Sequence, residues 1–188
     1  MNTELFYLVG NPNSLKQIFL SQLKEKLSNE ASIIVPQVYT TDKVVAEDDN
    51  YIYLDERDFL LRESMGIYCL SWKVRNEYYG VGGDFEQRLN SGVDVILNGS
   101  LHNLDQATKH FPNLNVVMIK KQGGCVHDTT NQYLIADDDG VTLEWSSKHE
   151  DIGHPYILTL ESDDNMEKAI EMFVNLVTYE RNAFEKVV

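Results

Sequence analysis

Gly10-Asn11-Pro12-Asn13-Ser14-Leu15-Lys16-Gln17 stands between the apolar run Leu5-Phe6-Tyr7-Leu8-Val9 and a helical pattern over residues 14–27. A buried strand, a short loop and a helix in that order form the setting of a phosphate-binding loop, G-x-x-x-x-G-K-[ST]. Gly10 and Lys16 fall in register with the motif, whereas Leu15 occupies the second glycine position and Gln17 the hydroxyl position. Such a loop turns successive backbone N–H groups onto phosphate oxygens, helped by the positive end of the following helix. A glycine with positive φ permits the turn, and the Cβ of a leucine resists it. The absent hydroxyl is the usual ligand that holds Mg²⁺ beside the β- and γ-phosphates. Gly10, Asn13, Ser14 and Lys16 are therefore the candidate phosphate or nucleotide contacts, with Lys16 the candidate catalytic cation.

Working outward, strand and helix patterns alternate. Ile18, Phe19, Leu20, Leu23 and Leu27 define one face of the first helix. Residues 33–35 and 51–54 read as short strands, separated by a polar, acidic excursion over 40–50. Asp55 is placed to cap a helix running to residue 63. Residues 68–74 read as a strand leading into a glycine-rich turn over 78–83, then a helix over 84–91 that Gly92 ends. Residues 94–97 and 115–119 are nearly continuous apolar runs, the pattern of buried parallel strands. A helix over 104–110 lies between them, and a strand over 156–160 precedes a long amphipathic helix over 164–184 with Ile170, Phe173, Val174, Leu176 and Val177 inward. This alternation predicts an α/β fold in three layers, a parallel sheet covered on both faces. Residues 121–155 break the pattern and read as a β-hairpin, strands 132–136 and 141–145 around the acidic turn Asp137-Asp138-Asp139-Gly140.

The 188 residues are expected to make one domain, with 43% hydrophobic residues to build its core. Two cysteines, Cys69 and Cys125, make no disulfide framework and fit a reducing, cytoplasmic setting. No apolar run approaches membrane length, and no basic-then-apolar leader opens the chain. A net charge of −14 disfavours nucleic acid and anionic membranes as partners. The arginines are Arg57, Arg62, Arg75, Arg88 and Arg181, none near the loop and none within 89–180. No metal site is expected. Cys125-x-His127 is not a zinc spacing, His149 and His154 read as exposed loop residues, and the acidic runs at 47–49 and 137–139 lack the alternation of a calcium loop.

In the middle of the chain, Leu70-Ser71-Trp72, Asn76, Tyr78-Tyr79-Gly80-Val81-Gly82 and Gly92-x-Asp94-Val95-Ile96-Leu97-Asn98-Gly99-Ser100 form a block that resembles the ribose 1,5-bisphosphate phosphokinases of bacterial phosphonate metabolism. These belong to the guanylate kinase-like group of P-loop kinases, and the block covers residues 59–119. The resemblance implies a guanylate kinase-like fold, ATP with Mg²⁺ as donor, and a phosphorylated sugar as acceptor. It implies an acceptor region over 36–80 and a lid where residues 121–155 carry the hairpin. Lys16 and Ser14 match the family's loop lysine and serine; Asn11, Asn13 and Leu15 replace its Pro, Gly and Gly, and Gln17 replaces an acidic residue often found there. Thr41 matches the threonine of a Thr-Arg pair whose arginine is here Asp42. Tyr51 falls where the wider group has a tyrosine that touches acceptor phosphate. Tyr79-Gly80 and Asn98-Gly99-Ser100 match as they stand, and the arginine-rich lid has no counterpart.

Acceptor contacts are thus expected at Thr41, Tyr51, Trp72, Tyr79, Asn98 and Ser100. Each has a plainer alternative: aromatic core packing for Tyr51, Trp72 and Tyr79, strand-end turn chemistry for Asn98 and Ser100, a solvated lysine for Lys16. The departures all remove groups that neutralise a transferring phosphoryl, the step on which this chemistry depends. The expectation is a relative that binds a sugar phosphate or nucleotide while transferring phosphate weakly or not at all. Two alternatives stand beside it. One is an active kinase in which Lys120, Lys121 or Lys148 replaces the arginines; the other is a protein-binding or self-associating domain that uses the acidic surface and the hairpin.

Overall fold

The computed structural model describes residues 3–10, 15–121, 133–136, 142–145, 156–160 and 166–185. Strand β1 (Leu5–Gly10) leads to helix α1 (Leu15–Lys26), β2 (Ile33–Ile34) and β3 (Val38–Thr40). After a single 3₁₀ turn come β4 (Tyr51–Tyr53), α2 (Glu56–Ser64), β5 (Tyr68–Val74), β6 (Glu77–Gly82) and α3 (Asp84–Asn90). Then follow β7 (Asp94–Asn98), α4 (Leu104–His110), β8 (Asn115–Lys121), β9 (Tyr133–Ala136), β10 (Thr142–Trp145), β11 (Tyr156–Leu160) and α5 (Met166–Glu185).

The core sheet runs β11-β8-β1-β7-β2 with every pairing parallel. Strands β1, β7 and β8 are buried on both faces, as their continuous apolar runs predict. The period of two divides them: Phe6, Leu8, Ile96, Val117 and Ile119 face α1 and α5, meeting Phe19, Leu20, Leu23, Ile170 and Phe173. The Phe173 ring sets its plane at 78° to Phe6 and 70° to Phe19, the edge-to-face geometry that aromatic quadrupoles favour. Leu5, Tyr7, Val9, Val95, Leu97, Val116 and Met118 face the other way, toward Phe85, Leu104 and Ala107 and toward the second sheet. Ile18, expected on the inner face of α1, is instead 44% exposed. It lies directly before Phe19 in sequence, about 100° around the helix, and the sheet takes Phe19 and Leu20 instead.

The second sheet runs β4-β3-β6-β5, with β3 parallel to β4 and antiparallel to β6. Two of its strands escape the sequence pattern. Val38–Thr40 sits at the edge of the expected excursion, and Glu77–Gly82 is a strand where a turn was expected. The true reversal is Arg75-Asn76, both at positive φ (51° and 80°), between Val74 and its partner Glu77. The glycine within the strand serves packing: a Cβ on Gly80 would lie 2.9 Å from the Tyr68 ring and 3.1 Å from Phe59 Cζ. Those two rings stack at 4.6 Å over the bare backbone. Asp55 caps α2 as expected, accepting from the Asp58 N–H at 2.8 Å. β9 and β10 pair antiparallel, the strands of the expected hairpin, whose turn lies outside the described residues. Cys125, His127, His149 and His154 also lie outside them. Among the described residues no helix is long and apolar enough to cross a membrane.

Asn76→Val should lower stability by about 1–2 kcal/mol, since a β-branched residue resists positive φ, while Asn76→Gly should be tolerated. Thermal melts of the two variants against the parent check this. Burial, and after it the Glu86 carboxylate, push the Cys69 thiol up to about 12. At pH 8 Cys69 should therefore alkylate far more slowly in the folded chain than in denaturant, read by mass-mapped iodoacetamide labelling.

Candidate active site

Open α/β sheets bind ligands beyond the carboxyl ends of their strands where the strand order reverses, which here is at β1 between β7 and β8. A cleft opens there, between the core sheet and the second sheet. Gly10 and Asn98-Gly99-Ser100 line it from the ends of β1 and β7, and Lys16 from the first turn of α1. Tyr51, Trp72, Val74 and Tyr79 come from β4, β5 and β6, with Val45, Leu101 and His102 completing the lining.

The floor is fixed by Tyr7, which sits fully buried beneath it. Its hydroxyl donates to the Ser100 carbonyl and accepts from the Ser100 N–H, each at 3.0 Å. Burial pushes the phenol well above its ordinary value, so it stays protonated and keeps both bonds. Gly99 rests on the ring, and a Cβ there would lie 2.4 Å from Tyr7 Cζ. The Gly99 carbonyl thereby faces α1 and accepts from Lys16 Nζ at 2.6 Å. Lys16 is 4% exposed, a lysine folded into the cleft wall and not a solvated one. Gly10 is itself confined, since a Cβ on it would lie 2.6 Å from the Ile119 carbonyl.

On the opposite wall Trp72 and Tyr79 stack with planes 10° apart and centroids 5.7 Å apart. The Tyr79 hydroxyl donates to Asp42 Oδ2 at 3.2 Å, and burial first, then this carboxylate, push the phenol well above its ordinary value. Asp42 Oδ1 accepts from the Val44 and Val45 N–H groups at 2.9 and 3.2 Å, an Asx turn that starts the 3₁₀ segment. Burial also raises the Tyr51 phenol; Asn98 and Gln17 temper the rise and Asp48 adds to it. Near as the Asn98 amide is to Tyr51, neither of its polar atoms reaches hydrogen-bond geometry with any group among the described residues. It is 3% exposed, and a buried amide without partners is costly.

Of the residues singled out in the sequence, Gly10, Lys16, Tyr51, Trp72, Tyr79, Asn98 and Ser100 converge on this cleft. Thr41 does not line it. Its hydroxyl donates to Glu77 and accepts from the Tyr78 N–H at 2.9 Å, tying the excursion to β6. Asn13 and Ser14 lie outside the described residues. Val45, Leu101 and His102 carried no sequence signal, because they reach the cleft through two 3₁₀ turns that periodicity does not mark. The donor chemistry does not fit Mg²⁺: position 17 offers an amide in place of a hydroxyl, and the described lining holds no carboxylate.

Comparison with known proteins finds kinases among those that this chain resembles. The ribose 1,5-bisphosphate phosphokinase of Desulfomicrobium baculatum is 31% identical over 117 residues, covering 62% of this chain and 63% of that protein. That of Enterobacter lignolyticus is 33% identical over 111 residues, covering 59% and 58%. The chain thus matches about three fifths of the length of these curated relatives. The crystal structure of guanylate kinase from Anaplasma phagocytophilum superposes with a TM-score of 0.61 over 96% of this chain and 87% of that one, at 16% identity. The fold is therefore that of guanylate kinase. No family model matches the chain.

Gly99→Ala should cost about 1–3 kcal/mol by overpacking against Tyr7. Tyr7→Phe should cost about 1–3 kcal/mol by leaving the Ser100 peptide without its partner. Chemical denaturation of each variant checks both values.

Proposed function

We propose that the cleft binds a sugar phosphate or nucleotide, and that ATP-dependent phosphoryl transfer through it is weak or lost. The observation that carries this reading is the charge of the lining. Among its described residues the basic side chains are Lys16 and His102, no arginine is present, and Lys16 Nζ lies on the Gly99 carbonyl. Such a site holds one phosphate through a point charge. It lacks the fork of guanidinium donors that spreads the charge of a transferring phosphoryl, a device worth roughly 10³–10⁵ in rate where it has been removed. The named activity of the similar phosphokinases supports a phosphorylated sugar as the ligand class, with ATP as the co-substrate of whatever transfer remains.

Calorimetry with ribose 5-phosphate, GMP and ATP, with and without Mg²⁺, tests the proposal alongside a turnover assay over a panel of phosphate acceptors. One of the monophosphates should bind, Lys16→Gln should weaken it by ~10-fold, and ATP turnover should be at or below the assay floor. Tight, Mg²⁺-dependent ATP binding with turnover that vanishes in Lys16→Ala would overturn the second half of the proposal. Absence of binding by every phosphorylated ligand would overturn the first.

A further inference from the structure

We propose that the Tyr51–Tyr79–Asn98 end of the cleft recognises free hydroxyls and rejects a phosphate, so that the ligand is a sugar monophosphate with its one phosphate at the Gly10–Lys16 end. This rests on the reading that the cleft takes a phosphorylated small molecule. Hydrogen-bond polarity carries it. Tyr79 has one proton, and that proton is committed to Asp42; the Thr40 side chain also hydrogen-bonds to the phenol oxygen, which leaves a lone pair and no proton for a ligand. A ligand group there must donate. A phosphate dianion has nothing to donate, and a sugar hydroxyl has one proton and two lone pairs.

Asn98 makes the same demand. Its amide is buried, lines the cleft and lies close to the Tyr51 phenol, and neither Oδ1 nor Nδ2 makes a hydrogen bond of normal geometry among the described residues. A hydroxyl, or a neighbouring pair of them, satisfies both atoms at once; a phosphate would meet Nδ2 and be repelled by Oδ1. Charge points the same way. Asp42 is pinned by its three hydrogen bonds, and no lysine, arginine or histidine among the described residues reaches salt-bridge distance of it. Asp48 lies near enough to act on Tyr51 and is likewise pinned, its Oδ1 accepting from the Asn50 N–H at 2.7 Å and from Asn50 Nδ2 at 2.6 Å. An anion at this end would lie near two carboxylates that stand outside the lining, Asp42 behind Tyr79 and Asp48 near Tyr51, the second of them also close to Lys24. The stacked Trp72–Tyr79 pair supplies an apolar wall for the C–H side of a sugar ring.

The test is calorimetry on the full chain with ribose 5-phosphate and ribose 1,5-bisphosphate. Ribose 5-phosphate should bind at least ~10-fold more tightly, and the gap should close to about threefold in Asp42→Asn, which removes the charge and keeps an acceptor for the cap. Tyr79→Phe gives an independent variant: it should weaken ribose 5-phosphate by roughly 5–10-fold and leave the bisphosphate nearly unchanged. Equal or tighter binding of the bisphosphate by the parent chain would overturn the proposal while phosphate binding itself stands. A ratio that neither variant changes would also overturn it. Failure of both ligands to bind would remove the phosphate reading and this one with it.

Discussion

The cleft depends on one contact, the seating of Gly99 on the face of Tyr7. Strand β7 would otherwise end as an unsupported loop above β1. With no Cβ in the way, the backbone drops onto the ring, and the phenol hydroxyl serves as donor and acceptor to the peptide of Ser100. A buried phenol is costly unless its polar atom is satisfied, and here one residue satisfies it in both directions. The consequences run outward along the chain. Fixing Ser100 sets the start of the 3₁₀ turn that carries His102, through the Ser100 hydroxyl accepting from the His102 N–H. Fixing Gly99 aims its carbonyl at α1, and Lys16 comes down onto it. The core sheet, the first helix and the cleft floor thus share a single anchor.

The two sheets divide the work that follows. The parallel sheet is packed on both faces and supplies backbone: a strand end at Gly10, another at Asn98, and the carbonyl of Gly99. The smaller sheet is less buried and supplies side chains, because its pleat turns Tyr51, Trp72 and Tyr79 toward the first. Lys16, held on the Gly99 carbonyl, brings to that end a point charge that suits an anion. Aromatic side chains with a phenol and an amide beside them suit a ring with hydroxyls. The cleft is therefore chemically asymmetric along its length, and the asymmetry follows from which sheet each wall belongs to.

Much of the parallel sheet was legible in the sequence, since continuous apolar runs at residues 5–9, 94–97 and 115–119 have few other uses in a chain of alternating strands and helices. The amphipathic helix at the end was equally plain, with Ile170, Phe173 and Val177 buried as its period requires. The second sheet was not. Glycines at 80, 82 and 83 imitate a turn, and only the packing of Tyr68 and Phe59 on Gly80 reveals that a missing side chain was needed within a strand. The burial of Lys16 was hidden for a related reason. Nothing local distinguishes a lysine in the first turn of a helix that meets water from one that meets a carbonyl 83 residues away. Long-range contacts of this kind leave no periodic trace.

Asp42 shows why a departure from a motif is better judged by its contacts than by its absence from a pattern. Set against an arginine, an aspartate at this position reads as a lost cation. In the fold it accepts three hydrogen bonds, two from the backbone of Val44 and Val45 and one from Tyr79. An arginine has five donors and no acceptor, so it could make none of them. The turn over residues 42–45, the orientation of the Tyr79 hydroxyl and the sign of the potential at that end of the cleft are therefore set together by one carboxylate. Val45, which this turn carries into the lining, is part of the same arrangement. A site that had only lost its arginine would leave a gap and loose neighbours. Here the carboxylate is built into the wall, and it fixes the Tyr79 oxygen of that wall as an acceptor.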